Sequence, residues 1–264
     1  MSALSERAEA LRAAHAAPEL LVLVNVWDAA SARVVAAVPG CAGVATASWS
    51  IAAAHGVPDG EAIGRDAMLA AVATIAGAVE VPVTADLESG YGGSAAEVGE
   101  TVAGALAGGA VGCNLEDGTR DPDAPLRAGE EHAERVAAAR AAGERAGVPV
   151  VINARTDVFL ARAGGVAEAV ERGRLYLEAG ADCVFVPGVV DPETIERLVG
   201  EMGGPVSLLV TPASPPLAEL ERLGVARVSF GPGTLGVAMA ALRRTAETLL
   251  AAGPLPADLA FRPR

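Results

Sequence analysis

Along the chain, short runs of Val, Leu and Ile alternate with longer Ala-rich stretches in which polar residues recur every three or four positions. Apolar runs of this length, bounded by Gly or Pro, predict buried strands, and the longer stretches predict helices packed on them. "LLVLVNV" (20–26) reads as the first strand, with a helix opened by Asp28 behind it. "GVATAS" (43–48) is the second strand and Glu61 to Val79 the helix that follows. "VPVTADLE" (81–88) precedes a helix after Ser94, and "GCNLED" (112–117) precedes one from Glu130 to Ala146. "VPVVINARTD" (148–157) and "CVFVPG" (183–188) lead into helices ending near Gly180 and starting after Asp191 and Pro192. "PVSLLVTP" (205–212) precedes a short helix over Leu217 to Leu223, and "ARVSFGPG" (226–233) a last one from Leu235 to Ala251. About eight strand–helix units in roughly 250 residues predict a single α/β domain over 1–264, a (β/α)8 barrel. A doubly wound open sheet shares the alternation but usually has fewer strands. Residues 1–19 read as a leading helix and 253–264 as a surface tail.

Composition narrows what such a barrel can do. The 264 residues carry a net charge of -13, which excludes nucleic-acid binding through bulk electrostatics. All 20 basic residues are arginine. With no lysine there is no Schiff-base aldolase, pyridoxal-phosphate enzyme or P-loop. Cys41, Cys113 and Cys183 are far apart and read as free thiols rather than a zinc set. No apolar run is long enough to span a membrane, and the first residues carry Glu and Arg early, so a cytoplasmic location is expected.

Side chains in a strand alternate between faces, so the polar positions can be sorted. Thr84, Asp86 and Glu88 share one face of the third strand; Asn114 and Glu116 share one on the fourth; Asn153, Arg155 and Asp157 share one on the fifth. Thr46 and Ser48 are placed together on the second, and the first offers Asn25. Neighbouring strands thus aim polar groups at one barrel mouth, where such enzymes work. Asp86, Glu88 and Glu116, with Asp59 in the loop after the second strand, outnumber the one cation placed among them, Arg155. Carboxylates gathered away from water need a metal or a proton, and hard oxygens with few imidazoles select Mg²⁺ or Mn²⁺. A divalent ion beside an arginine suits a 2-oxo acid, whose carboxylate and keto oxygen chelate the metal while Arg155 pairs a carboxylate or clamps the substrate.

At these residues the chain resembles the isocitrate lyase/phosphoenolpyruvate mutase superfamily. The match runs through "NVWDAASARVV", "HGVPDGE", "TADLESGYG", "GCNLEDG", "NARTD" and "GADCVFVPG". The resemblance implies a (β/α)8 barrel, with the last helix often exchanged between subunits of a homodimer or homotetramer. It implies Mg²⁺ held by Asp86 directly and by Asp59, Glu88 and Glu116 largely through water. It implies Arg155 on the substrate carboxylate, with Thr46, Ala47 and Ser48 offering hydroxyl and N–H groups to it. Members break or rearrange a C–C or P–C bond beside a 2-oxo or 2-hydroxy carboxylate through a metal-bound enolate. The chain departs from the lyases of that superfamily in the loop after the fourth strand, "GTRDPDAPLRAGEE", which holds neither Cys nor Lys. It departs from the phosphonate-handling members at Pro187, where they carry a histidine. The expected function is therefore a Mg²⁺-dependent C–C lyase or hydrolase acting on a small 2-oxo acid. A P–C bond enzyme and a non-catalytic 2-oxo acid binding protein are the alternatives. Asn153 and Tyr91 join the candidate substrate contacts, with Arg155, Asp59 and Glu116 as candidate catalytic groups. Arg120, Asp121, Asp123, His132 and His55 are further candidates for the acid/base. Trp27 and Trp49 read as packing.

Overall fold

The computed structural model describes residues 2–257. Its strands, Leu21–Val26 (β1), Val44–Thr46 (β2), Val83–Asp86 (β3), Gly112–Glu116 (β4), Val151–Arg155 (β5), Cys183–Phe185 (β6), Val206–Leu209 (β7) and Arg227–Ser229 (β8), pair in parallel, in sequence order, into a closed barrel. The helices are Ala3–Ala16 (α1), Ala29–Ala36 (α2), Ser48–Ala54 (α3), Arg65–Ala76 (α4), Ala95–Ala107 (α5), Gly129–Ala146 (α6), Val166–Glu178 (α7), Pro192–Met202 (α8), Leu217–Arg222 (α9) and Gly233–Leu250 (α10). The expected (β/α)8 barrel is what the chain forms. The strands are shorter than the apolar runs that announced them, by one to five residues at one or both ends.

Local chemistry sets the joints. Asp28 accepts the Ser31 N–H and Ser31 returns the bond, a capping box that starts α2; Ser94 and Glu97 do the same for α5. Pro192 sits in the first turn of α8 behind the Asp191 cap. Two elements differ from expectation. α3 was not foreseen, since its seven residues lie between a strand and Gly56 with too few turns to show a period. The helix expected from Glu61 begins at Arg65, because Glu61 takes a left-handed φ of 59° and its N–H is used elsewhere.

α1 closes the N-terminal end of the barrel. Leu11 is 1% exposed, and a Cβ at Gly112 of β4 would stand 3.0 Å from its Cδ2, so glycine there lets the helix seat closely. α10 is the opposite case. Leu235 is its one buried residue, while Val237, Leu242 and Leu250 are 72%, 60% and 89% exposed. The expected tail at 253–264 is exposed at Leu255, and residues 258–264 lie outside the described residues. The three cysteines are free; burial pushes the Cys113 and Cys183 thiols up to about 12. No helix among the described residues is long and apolar enough to cross a membrane.

His132, on α6, is fully buried and meets Tyr176 of α7 edge-on with ring centroids 4.6 Å apart. Burial, with Arg135 nearby, lowers its pKa to about 3. The folded state therefore stays neutral where the unfolded chain takes up a proton, and stability is lost as pH falls from about 6.5 towards 3. His132→Phe removes that linkage. Between pH 7 and pH 5 the variant should lose about 2 kcal/mol less stability than the parent in urea unfolding. Equal losses in the two proteins would show that His132 does not carry the effect.

Candidate active site

The strand register confirms most of the facing set. Asp86 lies opposite Asn114, Asn114 opposite Asn153, and Glu116 opposite Arg155. Residues directly opposite one another share a face of the sheet. On β2 the register corrects the expectation: Ala45, not Thr46, stands opposite Asn25 and Thr84. Thr46 is fully buried and structural. Its hydroxyl accepts the Asp86 N–H at 2.8 Å, and its carbonyl accepts from Asn25 Nδ2 at 2.9 Å.

A cavity of about 170 Å³ opens at the C-terminal end of the strands, with Ala47, Ser48, Asp59, Asp86, Asn114 and Arg155 in its wall. Asp86 Oδ2 accepts the Ser48 N–H at 3.0 Å. Burial and then the Asp86 charge raise the proton affinity of Asp59, while the Ser48 hydroxyl and the Gly60 N–H oppose them. Trp49, expected to pack, is half exposed and lines this cavity, whereas Trp27 packs on the core. Phe185, Leu160 and Pro187 give the cavity an apolar side, with the Arg155 guanidinium 5.8 Å from the centre of the Phe185 ring.

The remaining candidates are placed around the cavity rather than in its wall. Glu88 is buried, with φ 51°; its Oε1 accepts from the Tyr91 hydroxyl and its Oε2 from the Glu61 N–H, each at 2.5 Å. Burial raises its pKa to about 7, the Tyr91 bond opposing and Asp59 and Asp86 adding to the rise. Tyr91 therefore anchors Glu88 instead of facing the cavity. Glu61, unremarked in the sequence, holds this side together. It accepts from Ser89 Oγ at 2.7 Å and from the Tyr91 N–H at 2.8 Å, and pairs with Arg120 at 3.0 Å.

Glu116 pairs with Arg155 Nη1 at 2.8 Å, and Asp157 takes Arg155 Nε at 2.6 Å and Nη2 at 3.0 Å. Burial keeps Glu116 and Asp157 easier to protonate than usual, with Arg155 pulling the other way. Asn153 is buried below the cavity and donates to Asn114 Oδ1 at 2.9 Å. Of the further acid/base candidates, none is in the wall. Arg120 is held by Glu61, Asp121 accepts the Asp123 N–H within an exposed turn, His55 bonds the Ile51 carbonyl, and His132 is packed.

Among the described residues no three His, Cys, Asp or Glu side chains are gathered closely enough to hold an ion by themselves. The expected carboxylates are dispersed because Arg155 claims Glu116 and the Tyr91–Glu61 pair claims Glu88. The donor chemistry still fits Mg²⁺. Asp86 and Asp59 put hard oxygens on the cavity, their mutual repulsion shows in the raised affinity of Asp59, and Mg²⁺ keeps several waters of its own.

A parallel eight-stranded barrel with carboxylates and an arginine at its C-terminal mouth places its functional groups where (β/α)8 barrels carry their sites. The family model for phosphoenolpyruvate phosphomutase matches residues 11–250, and the chain belongs to that family, within the isocitrate lyase/phosphoenolpyruvate mutase superfamily. It is 43% identical to a candidate phosphonomutase from Burkholderia cenocepacia J2315, at a TM-score of 0.87 over 92% of this chain and 98% of that one. It is 30% identical to a phosphonopyruvate hydrolase solved with oxalate and Mg²⁺, at a TM-score of 0.86 over 97% and 92%. It is 27% identical to an oxaloacetate acetylhydrolase solved with its product oxalate, at a TM-score of 0.87 over 98% and 91%.

One buried carboxylate ties the site to the scaffold. Asp117, which follows Glu116, is fully buried and accepts from Thr156 Oγ1 and the Asp157 N–H at 2.8 Å, Tyr176 OH at 2.7 Å and Arg172 Nη1 at 3.3 Å. Asp117→Ala strands all four donors and should lower stability by roughly 3–5 kcal/mol in urea unfolding. Asp117→Asn, which keeps an acceptor, should lower it by less. A loss under about 1 kcal/mol for the alanine variant would contradict this reading.

Proposed function

We propose that the protein is a Mg²⁺-dependent enzyme that cleaves the C–C bond beside the 2-oxo group of a small carboxylic acid, of oxaloacetate-like size. The observation that carries this reading is the cavity itself, with two acidic oxygens from Asp86 and Asp59 on one wall and the Arg155 guanidinium on another. A cavity of about 170 Å³ admits a small acid and little more. In this reading Asp86 and Asp59 would hold the metal, while Glu88 and Glu116 would shape the field from behind. A bound Mg²⁺ supplies charge stabilisation for an enolate oxygen. Arg155, kept rigid by Glu116 and Asp157, receives the substrate carboxylate, and the Ala47–Ser48 turn closes the same side. Phe185, Leu160 and Trp49 limit access of water. The relatives solved with oxalate support a 2-oxo acid, since oxalate has the shape and charge of a pyruvate enolate.

The acid/base is the open element of this reading. No histidine, cysteine or lysine lines the cavity, and this favours the second reading, a protein that binds 2-oxo acids without turning them over. A panel of 2-oxo and 2-hydroxy diacids, assayed with Mg²⁺ and with phosphonopyruvate followed by phosphorus NMR, separates the readings. Turnover of an oxaloacetate-like acid, lost by at least a hundredfold in Asp86→Ala, is expected. Full activity in Asp86→Ala would refute the metal role. Oxalate binding with no turnover would establish the binding protein, and phosphate release would establish P–C cleavage.

The same reading includes a homo-oligomer in the cytoplasm. The apolar residues of α10 that the barrel leaves uncovered are the surface a second copy would cover, as the resemblance implies. Sedimentation should show a dimer or tetramer, and Val237→Glu with Leu242→Glu should shift it towards monomer. A monomeric parent protein would refute this.

A further inference from the structure

Below the cavity the barrel encloses a cation with no carboxylate at ion-pair distance among the described residues. Arg227 of β8 is fully buried, and burial pulls its guanidinium down to about 10. Its Nη1 lies 3.4 Å from His15 Nε2, and its Nη2 lies 3.3 Å from Asn114 Oδ1. Asn153 Nδ2 reaches the same Asn114 oxygen at 2.9 Å.

The chemistry of these groups fixes every orientation. Arginine has donors and no acceptor, so the Asn114 atom that faces it is the carbonyl oxygen, and Asn153 then presents its NH2. At the lower end His15 Nδ1 lies 2.8 Å from the Leu11 carbonyl, which can only accept. Nδ1 therefore carries the proton, and Nε2 offers Arg227 a lone pair. Burial and the charge of Arg227 lower the His15 pKa to about 4, so the ring is neutral at pH 7. A flipped Asn114 would turn its NH2 onto the guanidinium and leave a buried charge without its acceptor, an expensive arrangement. The amide is locked with Oδ1 down. Nδ2 is then the end turned to the mouth. It donates to no group among the described residues, Asn114 lines the cavity, and Asp86 stands directly opposite it across the β3–β4 pairing.

We propose that Asn114 contacts the substrate, its Nδ2 donating to a carboxylate or keto oxygen of the 2-oxo acid held beside Asp86, and that Arg227 is a positioning residue that fixes this donor. The proposal rests on the reading that the cavity binds a 2-oxo acid with Mg²⁺. It also gives α1 a task beyond closing the barrel, because His15 on that helix holds Arg227 in place. A fixed neutral donor beside a carboxylate suits an oxygen anion and adds no charge that would compete with the metal.

Calorimetry of oxalate binding in the presence of Mg²⁺ tests both parts, with thermal melts reporting that each variant is folded. Asn114→Ala and Asn114→Asp should each weaken oxalate by roughly tenfold or more. The aspartate variant keeps the acceptor that Arg227 needs and loses the donor; the alanine variant loses the donor without adding charge. If Asn114→Ala binds as the parent does, the contact is refuted, even where Asn114→Asp binds weakly, since added charge alone then accounts for it. Arg227→Met frees the amide to turn and should weaken oxalate several-fold, while Arg227→Lys, which keeps a donor, should recover most of the loss. Should Arg227→Met not fold, Asn153→Ala removes the other donor and should show the same direction. Folded Arg227 and Asn153 variants with parental affinity would refute the positioning role. A parent protein that binds no oxalate with Mg²⁺ would instead overturn the 2-oxo acid reading, and this proposal with it.

Discussion

The mouth of this barrel is organised by the division of one guanidinium between two carboxylates. Arg155 gives Nη1 to Glu116 and its other two nitrogens to Asp157. Forked pairing of this kind fixes direction as well as distance, which an ammonium group could not do. It also decides which acids remain. With Glu116 and Asp157 engaged, Asp86 and Asp59 are the carboxylates left in the cavity wall. Asp117 sets the geometry one layer out, since the N–H of Asp157 and the hydroxyl of Thr156 both end on it. A charge buried to this degree is tolerated only with all its bonds made, and Asp117 has four donors around it.

Behind the cavity wall the backbone is under tension. Glu61, Glu88 and Tyr91 all have positive φ, at 59°, 51° and 55°. Such conformations cost of the order of 1–3 kcal/mol each outside glycine and persist only when surrounding bonds hold them. Here they hold one another. The Glu61 N–H and the Tyr91 hydroxyl converge on Glu88, and the Glu61 carboxylate takes the Tyr91 N–H and the Ser89 hydroxyl. Arg120 then ties the loop after β4 to the same carboxylate, although at 59% exposure its contribution to stability is small. The bonds made at these positions hold Glu88 out of the cavity wall.

The barrel was legible because period and punctuation repeat at every unit. The facing set on β3, β4 and β5 was legible because a strand alternates strictly, and Asp86, Asn114, Asn153, Glu116 and Arg155 meet across the sheet as alternation requires. On β2 the phase was misassigned. Ala45 stands opposite Asn25 and Thr84, so alternation puts Thr46, opposite Val26, on the other face, where it bonds the Asp86 N–H; three residues of strand carry too little pattern to set the phase. Partner choice was the other thing alternation could not supply. That Arg155 would select Asp157, two residues past the end of β5, or that Tyr91 would turn to Glu88, depends on loop geometry that no spacing encodes. Asp117 was visible as part of "LED" but not as a hub, because its partners Arg172 and Tyr176 come from a helix distant in sequence.

The absence of lysine sharpens what the cavity can do. Among the described residues the titratable groups in its wall are Asp59, Asp86 and Arg155, and Arg155 does not release its proton at any pH the protein meets. Any proton taken or given inside the cavity therefore passes through a carboxylate or a water. Burial and a like charge raise the proton affinity of Asp59, as two neighbouring acids in one site tend to do. A carboxylate of this kind is a competent base for a hydroxyl or a water, but a weak acid for a carbanion. C–C cleavage that leaves its electrons on an oxygen, as an enolate, makes the smallest demand on such a site. The donor set thus selects among reactions by what it lacks: charge on the departing fragment must be met by fixed donors and a cation, not by a strong general acid.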